Sequence, residues 1–212
     1  MENKYKIRIR VFSVVAIIML CIATTVKEFQ NDTFYIIKLG GDILKNGVDL
    51  VDHYCWVVDL VYTYPHWLYD VFIYLMYTIG GFTAIHISTC VLFLILLGLV
   101  FKTNIKLTDN ISVSALATFI CALAVSGFAT ARAQLASFLV FILEIYFIEM
   151  FLKNGKKKYL FGLLILSLIL CNIHVAVWPF YFILYLPYIA EYIVSLIVSK
   201  IKIKKDNKFT LM

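Results

Sequence analysis

Thr83–Phe101, TAIHISTCVLFLILLGLVF, contains no charged side chain and is followed at once by Lys102 and Lys106. A helix of this length crosses the roughly 30 Å hydrocarbon layer of a bilayer, because each residue adds about 1.5 Å. Further apolar runs of the same kind lie on either side, at about 9–26, 110–128, 134–152, 158–174 and 175–198, and charged residues separate most of them. The pattern predicts an all-α membrane protein with about six transmembrane helices. Composition agrees, with 63% hydrophobic and 15% charged residues, where a soluble domain carries roughly 25% charge.

The basic residues orient the spans. Of the 19 Lys and Arg, all except Lys27, Lys38, Lys45 and Arg132 fall before the first run, in alternate connections, or after the last run. Lys/Arg-rich connections stay in the cytoplasm, so both termini are expected inside a plasma (inner) membrane, with 27–82 outside. That bias also accounts for the net charge of +6. No basic stripe with interleaved aromatics is left over, which excludes a nucleic-acid partner.

The organisation expected is a cytoplasmic amino terminus and first span (1–26), an exoplasmic loop with short amphipathic helices (27–82), a five-helix transmembrane bundle (83–198) and a basic cytoplasmic tail (199–212). The first apolar stretch exceeds the roughly 7–15 residues of a secretory leader core, and no clear small-x-small site ends it, so it reads as a retained anchor. Cys21, Cys90, Cys121 and Cys171 sit in apolar runs and Cys55 stands alone in the loop, so no disulfide framework emerges.

Within the loop, Phe34, Ile37, Ile43 and Leu44 share one face of a short helix that Asn31 or Asp32 starts and Gly47 ends. A second helix begins after Pro65. Its expected apolar side is Trp67, Leu68, Phe72, Leu75 and Met76, and its Trp and Tyr content suits the headgroup zone. Gly80-Gly81 then breaks into the next span.

Ionisable groups at a membrane surface or at depth are costly, and each invites a functional reading. Asp32 has two: an N-cap for the loop helix, or a general base toward an acceptor hydroxyl, able also to hold a divalent cation beside a lipid phosphate. Asp52-His53 reads as a solvated loop charge or as an acid/base or cation pair. His66, Trp67 and Asp70 share the second loop helix, where Trp67 is an interfacial anchor or a face for a sugar. Arg132, in Ala131-Arg132-Ala133-Gln134, is the one Arg after residue 10 and lies where the orientation rule disfavours a cation. It is either a snorkelling side chain or a fork of donors for a lipid phosphate. His174, with Asn172, ends the fifth span, as an interhelical hydrogen-bonding group or a ligand for the same phosphate. Glu144 and Glu191 are expected to pair or to face the bundle interior, and Glu149 to reach Lys153 one turn on.

Taken in order, these pieces resemble a known group. Asn31-Asp32-Thr33-Phe34-Tyr35, Lys38-Leu39-Gly40, Ile43-Leu44-Lys45-Asn46-Gly47, Tyr64-Pro65-His66-Trp67-Leu68-Tyr69-Asp70, Gly80-Gly81, Ala131-Arg132-Ala133-Gln134 and Asn172-x-His174 together resemble the bacterial multi-spanning glycosyltransferases of the GT-C type. The resemblance covers roughly residues 5–195. It implies a polyprenyl-phosphate-sugar donor as partner, transfer on the exoplasmic face, and Asp32 as general base, with Asp52 assisting. Arg132, His174, His66 and Trp67 are the residues expected at the lipid phosphate and substrate. The metal stays unassigned, a divalent cation being the one cofactor the carboxylates suggest.

Two departures stand out. Thr33 occupies a position where relatives often carry a second acid, and the chain matches only the amino-terminal half of such enzymes, so a carboxy-terminal half or a partner subunit is expected. The rival expectation is a non-enzymatic membrane protein, a transporter half or a lipid-binding subunit.

Overall fold

In the computed structural model the described residues are 2–25, 29–57 and 60–209, with side chains described for 4–25, 29–57 and 60–200. Lys27 and Asp59 lie outside them. Helices α1 (Glu2–Thr24), α2 (Asn31–Asn46), α3 (Trp67–Thr108), α4 (Ile111–Val125), α5 (Ala133–Asn154), α6 (Lys158–Ile173), α7 (Trp178–Ile183) and α8 (Leu186–Phe209) account for most of the chain. The one pairing of extended segments among the described residues is an antiparallel bridge between Val51 and Val61. The chain is an all-α, multi-pass membrane protein.

Among the described residues five stretches are long and apolar enough to cross a membrane: Lys4–Thr24, Trp67–Thr108, Ile111–Phe128, Ala133–Asn154 and Val175–Lys200. The sixth expected span, α6, has only 16 residues. At about 1.5 Å per residue that is some 24 Å, short of a full crossing on its own. The expected run 175–198 is interrupted: a 3₁₀ turn, α7 and α8 follow one another with a break at Leu184-Tyr185. Helix α1 starts well before the apolar run, taking in the basic residues from Lys4 onward.

Helix α3 is two helices in one direction of travel. Gly80 and Gly81 depart from helical geometry between them, and Gly81, at φ 61° and ψ −148°, occupies a conformation that a Cβ disfavours. The arm before the kink packs against α2, and the arm after it runs down the bundle. Phe93, Leu96, Leu97, Val100 and Phe101 of that second arm form the main core with Ile17 and Cys21 of α1, Ala122 of α4 and Leu135 of α5. Large apolar side chains such as Phe12, Met19, Leu116, Leu164 and Leu168 remain exposed, as a lipid solvent permits.

The expected apolar side of the first α3 arm is in part its outward side. Tyr69, Asp70 and Ile73 are buried, whereas Leu68 and Leu75 are exposed. Packing against α2 chose the inward face, and two glycines make that packing close. A Cβ on Gly40 would stand 2.1 Å from the Asp70 carbonyl oxygen, and one on Gly41 2.7 Å from the Tyr74 ring.

Other expectations change as well. Gln30, not Asp32, is the N-cap of α2, and no side chain caps that end. Gly47 does close the helix, its N–H reaching Ile43 O. Glu144 and Glu191 do not pair, since Glu144 is fully buried and Glu191 is exposed. Glu149 accepts from Tyr188 Oη at 3.0 Å instead of meeting Lys153.

Candidate functional site

Four remote segments meet at one end of the bundle. The first turn of α2 brings Asp32, the start of α3 brings His66, the lead into α5 brings Arg132, and the turn after α6 brings His174. With Tyr35, Ile36, Ala133 and Gln134 they line a cavity of about 300 Å³. The convergence is held by contacts that skip far along the chain. Val175 N–H donates to Pro65 O at 2.8 Å, and Trp67 Nε1 donates to Asn172 Oδ1 at 3.0 Å. A floor of Ile36, Tyr69, Ile73, Ile85, Ala131, Ala133 and Ala136 lies beneath.

Arg132 Nη2 donates to Asp32 Oδ2 across 100 residues of sequence. Its Nε is buried with no hydrogen-bond partner, which leaves part of the guanidinium fork free. The same residue is the N-cap of α5 and offers no side-chain cap to it. Leu135 N–H bonds weakly to Arg132 O at 3.2 Å, while the first amides of a helix have no intrahelical acceptor. The cavity therefore combines a guanidinium, the positive end of a 22-residue helix and two imidazoles, a set suited to an anion with several oxygens.

Both imidazoles are oriented from behind. His66 Nδ1 lies 2.5 Å from Asp70 Oδ1, four residues on, and Asp70 is fully buried. His174 Nδ1 lies 2.9 Å from Ser137 Oγ. Ser137 Oγ also lies 2.9 Å from Ala133 O, so the hydroxyl ties the ring to the first turn of α5. The two ring centroids are 6.4 Å apart.

Of the residues expected at the site, Asp32, Arg132, His66 and His174 share the cavity. Trp67 does not line it, and its indole serves instead to tie the α3 start to Asn172. Asp52 stands apart, accepting from the amides of Tyr54 at 2.8 Å and Cys55 at 3.2 Å in a tight turn. His53 turns away from Asp52 and bonds to Asp49. The loop thus forms its own polar lobe. Tyr64 Oη donates to Asp49 at 2.9 Å, Tyr54 Oη donates to Asp42, and Tyr35, Tyr54, Tyr62 and Tyr64 meet edge to face. Hydrogen bonding from His53 first, then from Val51 N–H and Tyr64, holds the Asp49 carboxyl down to about 2. Burial first, then Asp49, pushes the Tyr64 phenol up to about 12.

No group of three or more His, Cys, Asp and Glu able to hold a metal occurs among the described residues. Tyr35, Gln134 and the burial of Asp70 escape the sequence reading. The signal for Tyr35 is its spacing, since Asp32, Tyr35 and Ile36 fall on one helical face.

One helical turn from the polar cavity, an apolar groove of about 370 Å³ runs along Leu68, Phe72, Leu75, Leu92, Ala136 and Ile173. Ile173 precedes His174, and Ala136 lies one turn beyond Ala133, so the same segments contribute to groove and cavity, although no single residue lines both. Set against family models, curated proteins and solved structures, the chain matches none of them.

Proposed function

We propose that the chain is a membrane glycosyltransferase module that takes a sugar from a polyprenyl-phosphate donor at the exoplasmic surface, with both termini in the cytoplasm. The observation that carries this reading is the Arg132 guanidinium lining a cavity at a helix amino terminus, with an apolar groove built on the same helices. The groove suits an isoprenoid chain and the cavity suits its phosphate. In the free protein Asp32 neutralises Arg132. A bound phosphate competes with that carboxylate for the same donors. Surface placement of the other polar groups and the Lys/Arg bias support the orientation.

Equilibrium binding of a polyprenyl-phosphate hexose to the detergent-solubilised chain tests the reading. Arg132→Ala should weaken binding by about 10–100-fold, the worth of a charge-assisted hydrogen bond. Asp32→Asn should bind as well as wild type or better, because the internal competitor is gone. Arg132→Ala binding at wild-type strength would rule the assignment out. Labelling of Cys55 by a membrane-impermeant maleimide in whole cells checks the orientation, and labelling only after lysis would reverse it.

A second reading, a non-enzymatic transport half, rests on Glu144. It lies midway along α5, fully buried, with neither carboxyl oxygen bonded, and transporters place such groups at membrane depth. Proton-coupled solute uptake into vesicles holding the chain, abolished by Glu144→Gln, would favour this reading over the first.

A further inference from the structure

We infer that His66, held by Asp70, is the group that takes the proton from the acceptor hydroxyl, a role that the resemblance would give to Asp32. The inference rests on the transferase reading above. Its starting point is the state of the two carboxylates. Asp32 is largely exposed and its charge is engaged by Arg132, which weakens it as a base. Asp70 is the opposite, fully buried with Oδ1 on His66 and Oδ2 without any partner.

A buried carboxylate with so few bonds is destabilising to the fold, and a purely structural role leaves that cost uncompensated. Orienting an imidazole explains it. With Nδ1–H donated to Asp70, the ring presents Nε2 as an acceptor, and the anion behind it stabilises the imidazolium once a proton arrives. The ring is the right one for the work, because His66 lines the cavity while Asp70 lies behind it. His174 has a hydroxyl behind it, Ser137 Oγ. It supplies a second ring but lacks the anion, so it cannot stabilise positive charge in the same way.

The step balances. The acceptor oxygen attacks the anomeric carbon as its proton passes to His66 Nε2. The oxygen–carbon bond forms, the bond from carbon to phosphate oxygen breaks, and its electron pair leaves with the polyprenyl phosphate at Arg132. The imidazolium then returns its proton to water. His66 is the catalytic residue and Asp70 its positioning residue.

The test uses the full chain in nanodiscs and one probe, a polyprenyl-phosphate hexose, with water as acceptor. Two quantities are read, donor binding and release of free sugar. His66→Ala and His66→Gln should bind donor within about twofold of wild type while sugar release falls about 10²–10⁴-fold. Added imidazole should restore part of the rate to His66→Ala alone. Asp70→Asn should lower release with binding kept, and Asp70→Glu should recover part of it. In ¹⁵N-histidine spectra His66 should carry its proton on Nδ1 in wild type and lose that preference in Asp70→Asn.

Sugar release within about threefold of wild type in both His66 variants would overturn this inference and leave the donor site standing. So would a wild-type His66 protonated on Nε2. A wild-type chain that binds no donor, or binds it without releasing sugar, would overturn the transferase reading and this inference together.

Discussion

Among the described residues are two carboxylate–imidazole pairs with the same four-residue spacing, Asp49–His53 in the loop lobe and His66–Asp70 at the start of α3. On paper they are twins. In the first pair both side chains are well exposed, whereas in the second the carboxylate is completely buried. The difference lies in what surrounds each pair. Asp49 is satisfied by neighbours close in sequence, namely Val51, His53 and Tyr64. Asp70 is enclosed by α2 and has His66 alone. An exposed pair in water contributes little, while a buried one holds a ring in place at some cost to the fold. The largest effect should follow this contrast. Asp70→Asn should reduce sugar release by about 10²-fold, and Asp49→Asn should leave it within about twofold. Equal losses in the two variants, read in parallel on one donor preparation, would erase the distinction.

What buries one pair and not the other is the approach of α2 to α3, which depends on Gly40. A Cβ there meets backbone, 2.1 Å from Asp70 O and 2.5 Å from Asp70 C. Gly162, between α5 and α6, is also tight, but its Cβ would meet the edge of the Phe147 ring at 2.4 Å, and a ring can swing away. Gly40→Ala should therefore destabilise by about 1–3 kcal/mol, lowering the melting midpoint in detergent by about 2–10 °C. Gly162→Ala should cost less than half as much. A Gly40→Ala chain as stable as wild type would mean that the two helices part without penalty and that the burial of Asp70 is not maintained by them.

These positions also mark how far the sequence could be read. The spans were legible, because hydropathy is a sum over many residues and survives any one error. The helix over 31–46 was legible from Gly47, but its inward face was not, since Thr33, Ile36, Leu39 and Ile43 are buried while Phe34 and Leu44 of the expected face are exposed. Which side of the first α3 arm turns inward was not, because both sides are apolar and only the partner helix decides between them. Gly40-Gly41 was the available clue to a close approach, although it does not say what is approached. Asp32, Arg132, His66 and His174 could each be singled out as costly groups in a membrane protein, but their meeting around one cavity is tertiary. Asp52 was attractive for the same reason and proves to be a turn former, since an Asp that accepts from amides two and three residues on is indistinguishable in sequence from a catalytic one.

The cavity depends on a tie between α3 and the turn after α6, and a smaller effect should show there. Trp67→Phe keeps most of the ring and removes the bond to Asn172. It should lower stability by about 0.5–1.5 kcal/mol, and Asn172→Ala should do much the same. The two together should cost less than their sum, because they share one bond. Strict additivity in detergent unfolding would show that the indole and the amide do not act as a pair.

The smallest effect belongs to the exposed twin and has a definite sign. The Asp49 carboxyl sits at about 2 in the folded lobe against an ordinary 3.8, held there first by the hydrogen bond from His53. A depressed carboxyl favours the folded lobe when ionised, so its contribution is complete above pH 4 and fades as the pH falls toward 2. Asp42, lowered chiefly by Tyr54, works in the same direction. Trp56, at 93% exposure, sits on this lobe and reports on it. Its fluorescence should change reversibly between about pH 4 and pH 2, before the membrane helices lose any circular dichroism. Asp49→Asn should abolish most of that transition at every pH without altering donor binding. If the emission instead shifted between pH 5 and pH 7, the lobe would be governed by its histidine, and Asp49–His53 would resemble the buried pair more than its exposure suggests.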